Sequence, residues 1–187
     1  GGSMITFLVL LGLVAGIVLW AIGIYNGLVR KRNMVEEAWS GIDVQLKRRT
    51  DLIPNLVSTV KAYAAHEKET LEEVVRLRNL AQNAHGVGET AQAQGLLGAA
   101  LGKLIALAES YPDLKANTNF AQLQSTLQEI EEQIQLSRRY YNGAARDLNI
   151  AVESFPSNLV AGRFGFEKAE FFELENLADR AVPSVGF

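Results

Sequence analysis

Residues Ile5 to Ile24 run for twenty positions without a charge and with one weakly polar member, Thr6. The hydrocarbon core of a bilayer takes about 20 apolar residues as helix, so this stretch has the length to span. A helix that is hydrophobic on every side has no partner surface at the start of a soluble domain. Gly1-Gly2-Ser3 reads as an expression scar ahead of a native initiator, Met4. Arg30, Lys31 and Arg32 follow the run, and positive charge stays on the cytoplasmic side. The N-terminus is therefore expected outside and everything after Tyr25 inside. Trp20 and Tyr25 fall where an interfacial aromatic belt belongs. A cleaved signal peptide is the competing reading, but it needs its basic residues before the apolar run and a small-residue cleavage site after it.

The remaining chain is one ordinary domain's worth. Net charge is -3 and the pI is near 5.5, which implies no broad basic surface for nucleic acid. Basic residues cluster at 30–32 and 47–49, where they could touch anionic lipid heads; the first trio is read as setting topology. The absence of cysteine excludes disulfides, thiol catalysis and cysteine-ligated metal, and fits a cytoplasmic domain.

Beyond the membrane, Pro112, Pro156 and Pro183 mark boundaries and the apolar period between them is helical. Phe120, Leu123, Leu127, Ile130, Ile134, Ser137, Tyr141, Ala144, Leu148 and Val152 recur at three-to-four spacing, the seam of a coiled coil or bundle. A helix from Asn119 to Ser154 would be about 54 Å long, with Asn119 as its cap and Pro156 enforcing its end. Val35, Trp39, Ile42 and Leu46 continue the membrane helix inward. At Pro54, either Asp51 caps a new helix or the existing one kinks. His85-Gly86-Val87-Gly88 is a loop, and Glu89 to Glu109 a shorter helix rich in Ala, Gly and Leu. No stretch shows the period-two alternation of a strand. The expected fold is all-α: a single N-terminal transmembrane helix (4–25), then a long-helix antiparallel bundle (26–157), then an aromatic-rich C-terminal helix and tail (158–187). Phe164, Phe171 and Phe172 share one face of that last helix; with Phe166 they would close the bundle's end or else dock on a neighbouring subunit or the membrane surface.

Chemistry is hard to find. His66 lies near Glu69 and Thr70 on a charged turn, which is fewer ligands than a metal site needs. Adjacent pairs such as Glu131-Glu132 splay apart on a helix, and no phosphate-binding glycine loop follows a strand. Catalysis, cofactors and metals are therefore not expected. Polar residues do interleave with the apolar faces at Asp43, Arg49, Asp51 and Asn55, and again at Arg139, Asn142 and Asn149. A buried amide must be hydrogen-bonded, so a structural polar network joining Asn142 to the Arg49–Asn55 turn is expected.

These residues carry a resemblance. Tyr25-Asn26-Gly-Leu-Val29, Ala38-Trp39-Ser40 with Ile42-Asp43-Val44-Gln45-Leu46, Arg49-Thr-Asp51-Leu52-Ile53-Pro54-Asn55-Leu56-Val57, Tyr63-Ala-Ala-His66-Glu67, Tyr111-Pro112-Asp-Leu114 and Arg138-Arg139-Tyr140-Tyr141-Asn142 are similar, in order, to the LemA family. The resemblance implies a membrane-anchored cytoplasmic helical bundle of bacterial type and no particular activity. One relative in that family acts in forming magnetosome membranes, which suggests membrane organisation.

The leading expectation is a non-enzymatic, single-pass scaffold or assembly protein of the bacterial inner membrane, in contact with lipid and with protein partners that the sequence does not identify. The rivals are a single-pass sensor, which would usually show an external domain, and a pore-forming bundle, for which Leu96 to Ala108 is too short. Gly12, Gly16, Gly23 and Gly27 line one face of the membrane helix as two GxxxG units, so a homo-oligomer packed along that stripe is expected.

Overall fold

The computed structural model describes residues 1–174. Six helices follow one another: α1 (Gly2–Lys61), α2 (Lys68–Gln82), α3 (Val87–Ala108), α4 (Pro112–Lys115), α5 (Thr118–Glu153) and α6 (Ser157–Phe164), with no strand among the described residues. The expected tail beyond Leu174 lies outside the described residues. The described residues form two compact units, one of residues 1–39 with 141–169 and one of residues 40–140 with 170–174.

The second unit holds the main core. Ile53, Leu56 and Val60 of α1 pack with Leu71, Val74 and Leu77 of α2, Leu97, Leu101 and Leu104 of α3, Leu114 of α4, and Phe120, Leu123 and Leu127 of α5. Their three-to-four spacing on each helix is what lets one stripe per helix meet at a shared axis. α3 is long and apolar enough to cross a membrane by composition, but Leu97, Ala100, Leu101, Leu104 and Ala108 are buried among its neighbours. Gly86 turns the chain into α3 with φ of 80°, a conformation that an L side chain rarely adopts. In this unit α1 and α5 run antiparallel: Thr59 accepts a hydrogen bond from Asn119, and ten residues back along α1 Arg49 meets Glu131, twelve residues further along α5.

The first unit includes the apolar start of α1. Leu28, Val35 and Ala38 of α1 are buried, as are Tyr141, Ala144, Ala145 and Leu148 of α5, Val160 and Ala161 of α6, and Phe166. The Trp39 and Tyr141 rings lie 5.5 Å apart between centroids.

Three expectations are corrected. Asp51 does not cap a new helix, because α1 continues through Pro54 to Lys61. Proline deprives the carbonyl four residues back of its helical donor. Here that carbonyl belongs to Thr50, and Arg78 Nε of α2 donates to it at 3.3 Å. Asn119 does not cap α5: the Phe120 N–H donates to Asn117 Oδ1 at 2.9 Å, which places the cap two residues earlier. Lastly, Phe164, Phe171 and Phe172 share no helical face, because α6 stops at Phe164. Gly165 takes the left-handed conformation (φ 72°) and the Phe166 N–H bonds back to the Ala161 carbonyl at 2.9 Å, a glycine-terminated helix end. Residues 165–174 follow as irregular backbone.

Candidate functional site

Two places gather the chemistry, one in each unit. In the first unit, Tyr25 follows the apolar run and receives the rings of Phe164 and Phe166 edge-on, with centroids 5.0 and 5.6 Å away. Arg32, two helical turns on, lays its guanidinium 4.8 Å from the centre of the Phe166 ring. Phe166 is buried, while Phe164 keeps more than half its surface exposed beneath the Arg163 guanidinium. Asn149 anchors the chain leaving α6, accepting from the Ala169 N–H at 2.7 Å and donating to its carbonyl at 3.0 Å. A side-chain amide that satisfies both polar groups of one peptide holds an irregular strand as a sheet ladder would. Lys168 adds an ion pair to Glu153 at 2.6 Å. Of the expected interfacial residues, Trp20, Arg30 and Arg32 are exposed and Lys31 is half-buried. A Cβ placed on Gly12, Gly16 or Gly23 meets nothing within 4 Å, so the stripe is open in the single chain.

In the second unit, Arg49 is 1% exposed and its guanidinium is held on two sides. Nη1 donates to both carboxylate oxygens of Glu131, at 3.0 and 3.3 Å; Nη2 donates to the Gln94 carbonyl at 2.8 Å and to Gln94 Oε1 at 2.7 Å. The fork shape of a guanidinium suits such two-sided binding, which an ammonium would not reproduce. α3 comes close enough at Gly98 that a Cβ there would lie 3.3 Å from Nη1. A charged knot therefore ties α1, α3 and α5 at one level.

The other polar residues singled out from the sequence have their own surroundings. Asp43 pairs with Lys47 on the surface at 2.9 Å; Asp51, Asn55 and Arg139 are exposed; Asn142 is half-buried; and Asn149 is committed to Ala169. Arg49 and Asn149 are thus each held by partners of their own. Gln94 and Arg78 were not anticipated, since nothing about a glutamine in an Ala/Gly-rich helix, or an arginine on a charged one, marks it as a long-range partner.

The tail also grips the bundle. The Gly88 N–H in the first turn of α3 donates to Glu170 Oε2 at 3.1 Å, which satisfies one of the free donors there with a negative charge. Phe172 is fully buried, and Phe171 is 42% exposed. At the far end of α1 in this unit, Tyr111 donates to Glu67 Oε1 at 3.0 Å, and this bond holds the phenol above its ordinary pKa. Asn117 donates to the Tyr63 hydroxyl at 2.9 Å. No group of three or more potential metal ligands occurs among the described residues.

Comparison with known proteins follows the same outline. The chain is similar to magnetosome protein MamQ 2 of Paramagnetospirillum magneticum, 27% identical over 184 residues, covering 84% of this chain and 68% of that one. It is similar to protein LemA of Metamycoplasma hominis, 27% identical over 158 residues, covering 83% and 72%. Magnetosome protein MamQ of Magnetospirillum gryphiswaldense is 26% identical over 184 residues, with 84% and 68% coverage. The LemA family pattern matches residues 38–187, which takes in the Arg49 knot, the Asn149 clamp and α6. The chain belongs to the LemA family.

Proposed function

We propose that this protein is a single-pass, membrane-anchored scaffold without catalytic activity, its helical bundle on the cytoplasmic face of a bacterial inner membrane. The observation that carries the reading is the surface of α1 from Met4 to Trp20. Thirteen large apolar side chains there, Phe7, Leu10 and Leu19 among them, are between 50% and 69% exposed, and among the described residues nothing covers them. Moving that many side chains from water into an apolar phase favours lipid by about 20–40 kcal/mol. A domain's whole stability is about 5–15 kcal/mol, so water is not the medium this helix is built for.

The scaffold part of the reading rests on how the buried polar groups are used. Arg49 of α1 and Gln94 of α3 bind each other, the Thr50 hydroxyl donates to the Lys47 carbonyl of its own helix, and the Thr50 carbonyl accepts from Arg78 of α2. A bundle held to one arrangement by such contacts, on a helix continuous with the membrane segment, suits a part that positions other molecules. The similarity to magnetosome proteins extends the same reading to organisation of a membrane or of proteins at it.

The test is fractionation of the full chain expressed in a bacterium. After an alkaline carbonate wash it is expected in the membrane pellet, and a Leu10→Arg, Val14→Arg variant in the supernatant. Native mass in mild detergent is expected above the 20.5 kDa of one chain. A wild-type protein released by carbonate overturns the anchor, and a strictly monomeric one overturns self-assembly.

A further inference from the structure

The Trp39–Tyr141 contact fixes a level within the membrane-proximal unit. From Trp39, α1 runs back fourteen residues to Tyr25, about 21 Å at the α-helical rise. From Tyr141, α5 runs on to Glu153, and the chain reaches Phe155 after the same fourteen residues. The two helices are antiparallel here, because the short α6 brings Phe164 and Phe166 onto Tyr25 only nine to eleven residues after Phe155. The corner between α5 and α6 therefore sits level with the end of the apolar run.

What that corner displays is apolar. Phe155 is 79% exposed and Leu159 61%, while Val160 and Ala161 form the buried side of α6. Leu159 and Arg163 are spaced four apart on α6 and share its outer face, with the exposed Phe164 beside them and the exposed Phe155 in the turn just before the helix. A two-turn helix with its larger apolar side chains pointing away from the protein and one cation among them is the pattern of a segment lying in a membrane interface. The corner is also held firmly: the Ser157 hydroxyl donates to the Ala151 and Ser154 carbonyls at the end of α5, and Phe164 is seated on Tyr25. Arg32 lies over the Phe166 ring and Arg163 over the Phe164 ring, with Arg30 and Lys31 preceding Arg32 on α1, against Glu167 and a Glu153 that is paired with Lys168. The local balance is positive, which suits anionic headgroups.

We propose that the α5–α6 corner and the outer face of α6 are a second membrane contact. Phe155, Leu159 and Phe164 enter the boundary between headgroups and acyl chains in the leaflet from which α1 emerges, and Arg163 lies at the phosphates. The surface is continuous with the anchor through the Tyr25–Phe164 contact, and that continuity makes the occupant lipid rather than a second copy of the chain. The membrane-proximal unit is thereby fixed to the bilayer at two points, which limits its tilt and its rotation about α1. The proposal rests on the reading of α1 as a membrane span, and the two can fail separately.

The chain has no cysteine, so single cysteines can be labelled without background. Full-length Phe155→Cys, Leu159→Cys, Leu10→Cys and Gln128→Cys variants would carry an environment-sensitive fluorophore, all at exposed positions where a label leaves the cores intact. They would be reconstituted in vesicles of equimolar phosphatidylcholine and phosphatidylglycerol, with and without lipids brominated on the acyl chains. Labels at 155, 159 and 10 are expected to shift to the blue and lose emission to the brominated lipid, while the label at 128 does neither. Quenching at 10 with 155 and 159 behaving like 128 overturns the second contact and leaves the anchor standing. No quenching at 10 overturns both. Shielding of 155 and 159 that rises with the protein-to-lipid ratio and ignores bromine assigns the face to a second copy, and overturns the lipid reading.

Discussion

Arg49 shows what one side chain can decide in a helical bundle. Among the described residues it is the buried side chain with a full charge, and only Glu131, itself 38% exposed, lies within ion-pair distance. Deleting one partner of such a pair strands the other, whereas replacing both by apolar groups is often neutral. Glu131→Ala is accordingly expected to cost about 2–4 kcal/mol, toward the lower end because water reaches the carboxylate. Adding Arg49→Met should recover at least about 1 kcal/mol of that loss. Denaturant unfolding of the detergent-solubilised chain and its three variants closes the cycle; strictly additive losses would show that the pair is not coupled. Tyr111 offers a pH-dependent case. Its pKa is raised chiefly by donating to Glu67, so this bond stabilises the fold below the ordinary tyrosine pKa and is lost as pH rises through the elevated one. Glu67→Gln should bring the Tyr111 ionisation back toward the ordinary range in a difference ultraviolet titration against Tyr111→Phe. Sequence reasoning reached Arg49, because a charge within an apolar period stands out. Its partners lie 45 and 82 residues away, and pairings at that separation are set by how helices dock rather than by any local pattern.

Elements were more legible than their ends. The seam from Phe120 to Leu148 predicts a single long helix, and α5 occupies Thr118–Glu153, since a heptad-like period over that length admits no other regular structure. Leu127 and Ile134 are buried on it while Gln128 and Glu132 are exposed. Changing either of the first two to Ala should cost about 2–5 kcal/mol, and either of the last two under about 0.5 kcal/mol, read by thermal melts of the full chain. Similar losses for both classes would mean that the wrong face had been assigned to the core. Pro54 was the misleading signal. A breaker invites a boundary, but a donor from another helix can stand in for the missing N–H, and Arg78 is invisible until α2 is folded back on α1. That compensation is measurable as a coupling. Arg78→Ala should cost about 1 kcal/mol with Pro54 present and less in a Pro54→Ala background, where an N–H again faces the Thr50 carbonyl. At the other end, the 164–172 face failed because a left-handed Gly165 outweighs a hydrophobic period over so few residues.

At the scale of the whole molecule, orientation and assembly are both written into α1. Arg30, Lys31 and Arg32 follow the apolar run immediately, so a reporter fused after Phe187 is expected to be cytoplasmic, and moving the three charges ahead of Met4 to weaken or invert that orientation. An active periplasmic reporter on the wild-type C-terminus would reverse the assigned topology. The proposed self-association is assigned to the glycine stripe. Without a hydrophobic drive between helices in lipid, small residues matter because they let two backbones approach closely. Among the described residues nothing lies within 4 Å of a Cβ placed on Gly12, Gly16 or Gly23, so a larger side chain there meets none of them. That property makes the stripe a clean probe: only a contact between molecules can register the change. Replacing Gly16 and Gly23 together by Leu should lower the oligomer mass measured in mild detergent while the helical circular dichroism and melting of the bundle stay as in wild type. If the mass is unchanged, the stripe faces lipid, and self-association has to be sought on the cytoplasmic surface instead.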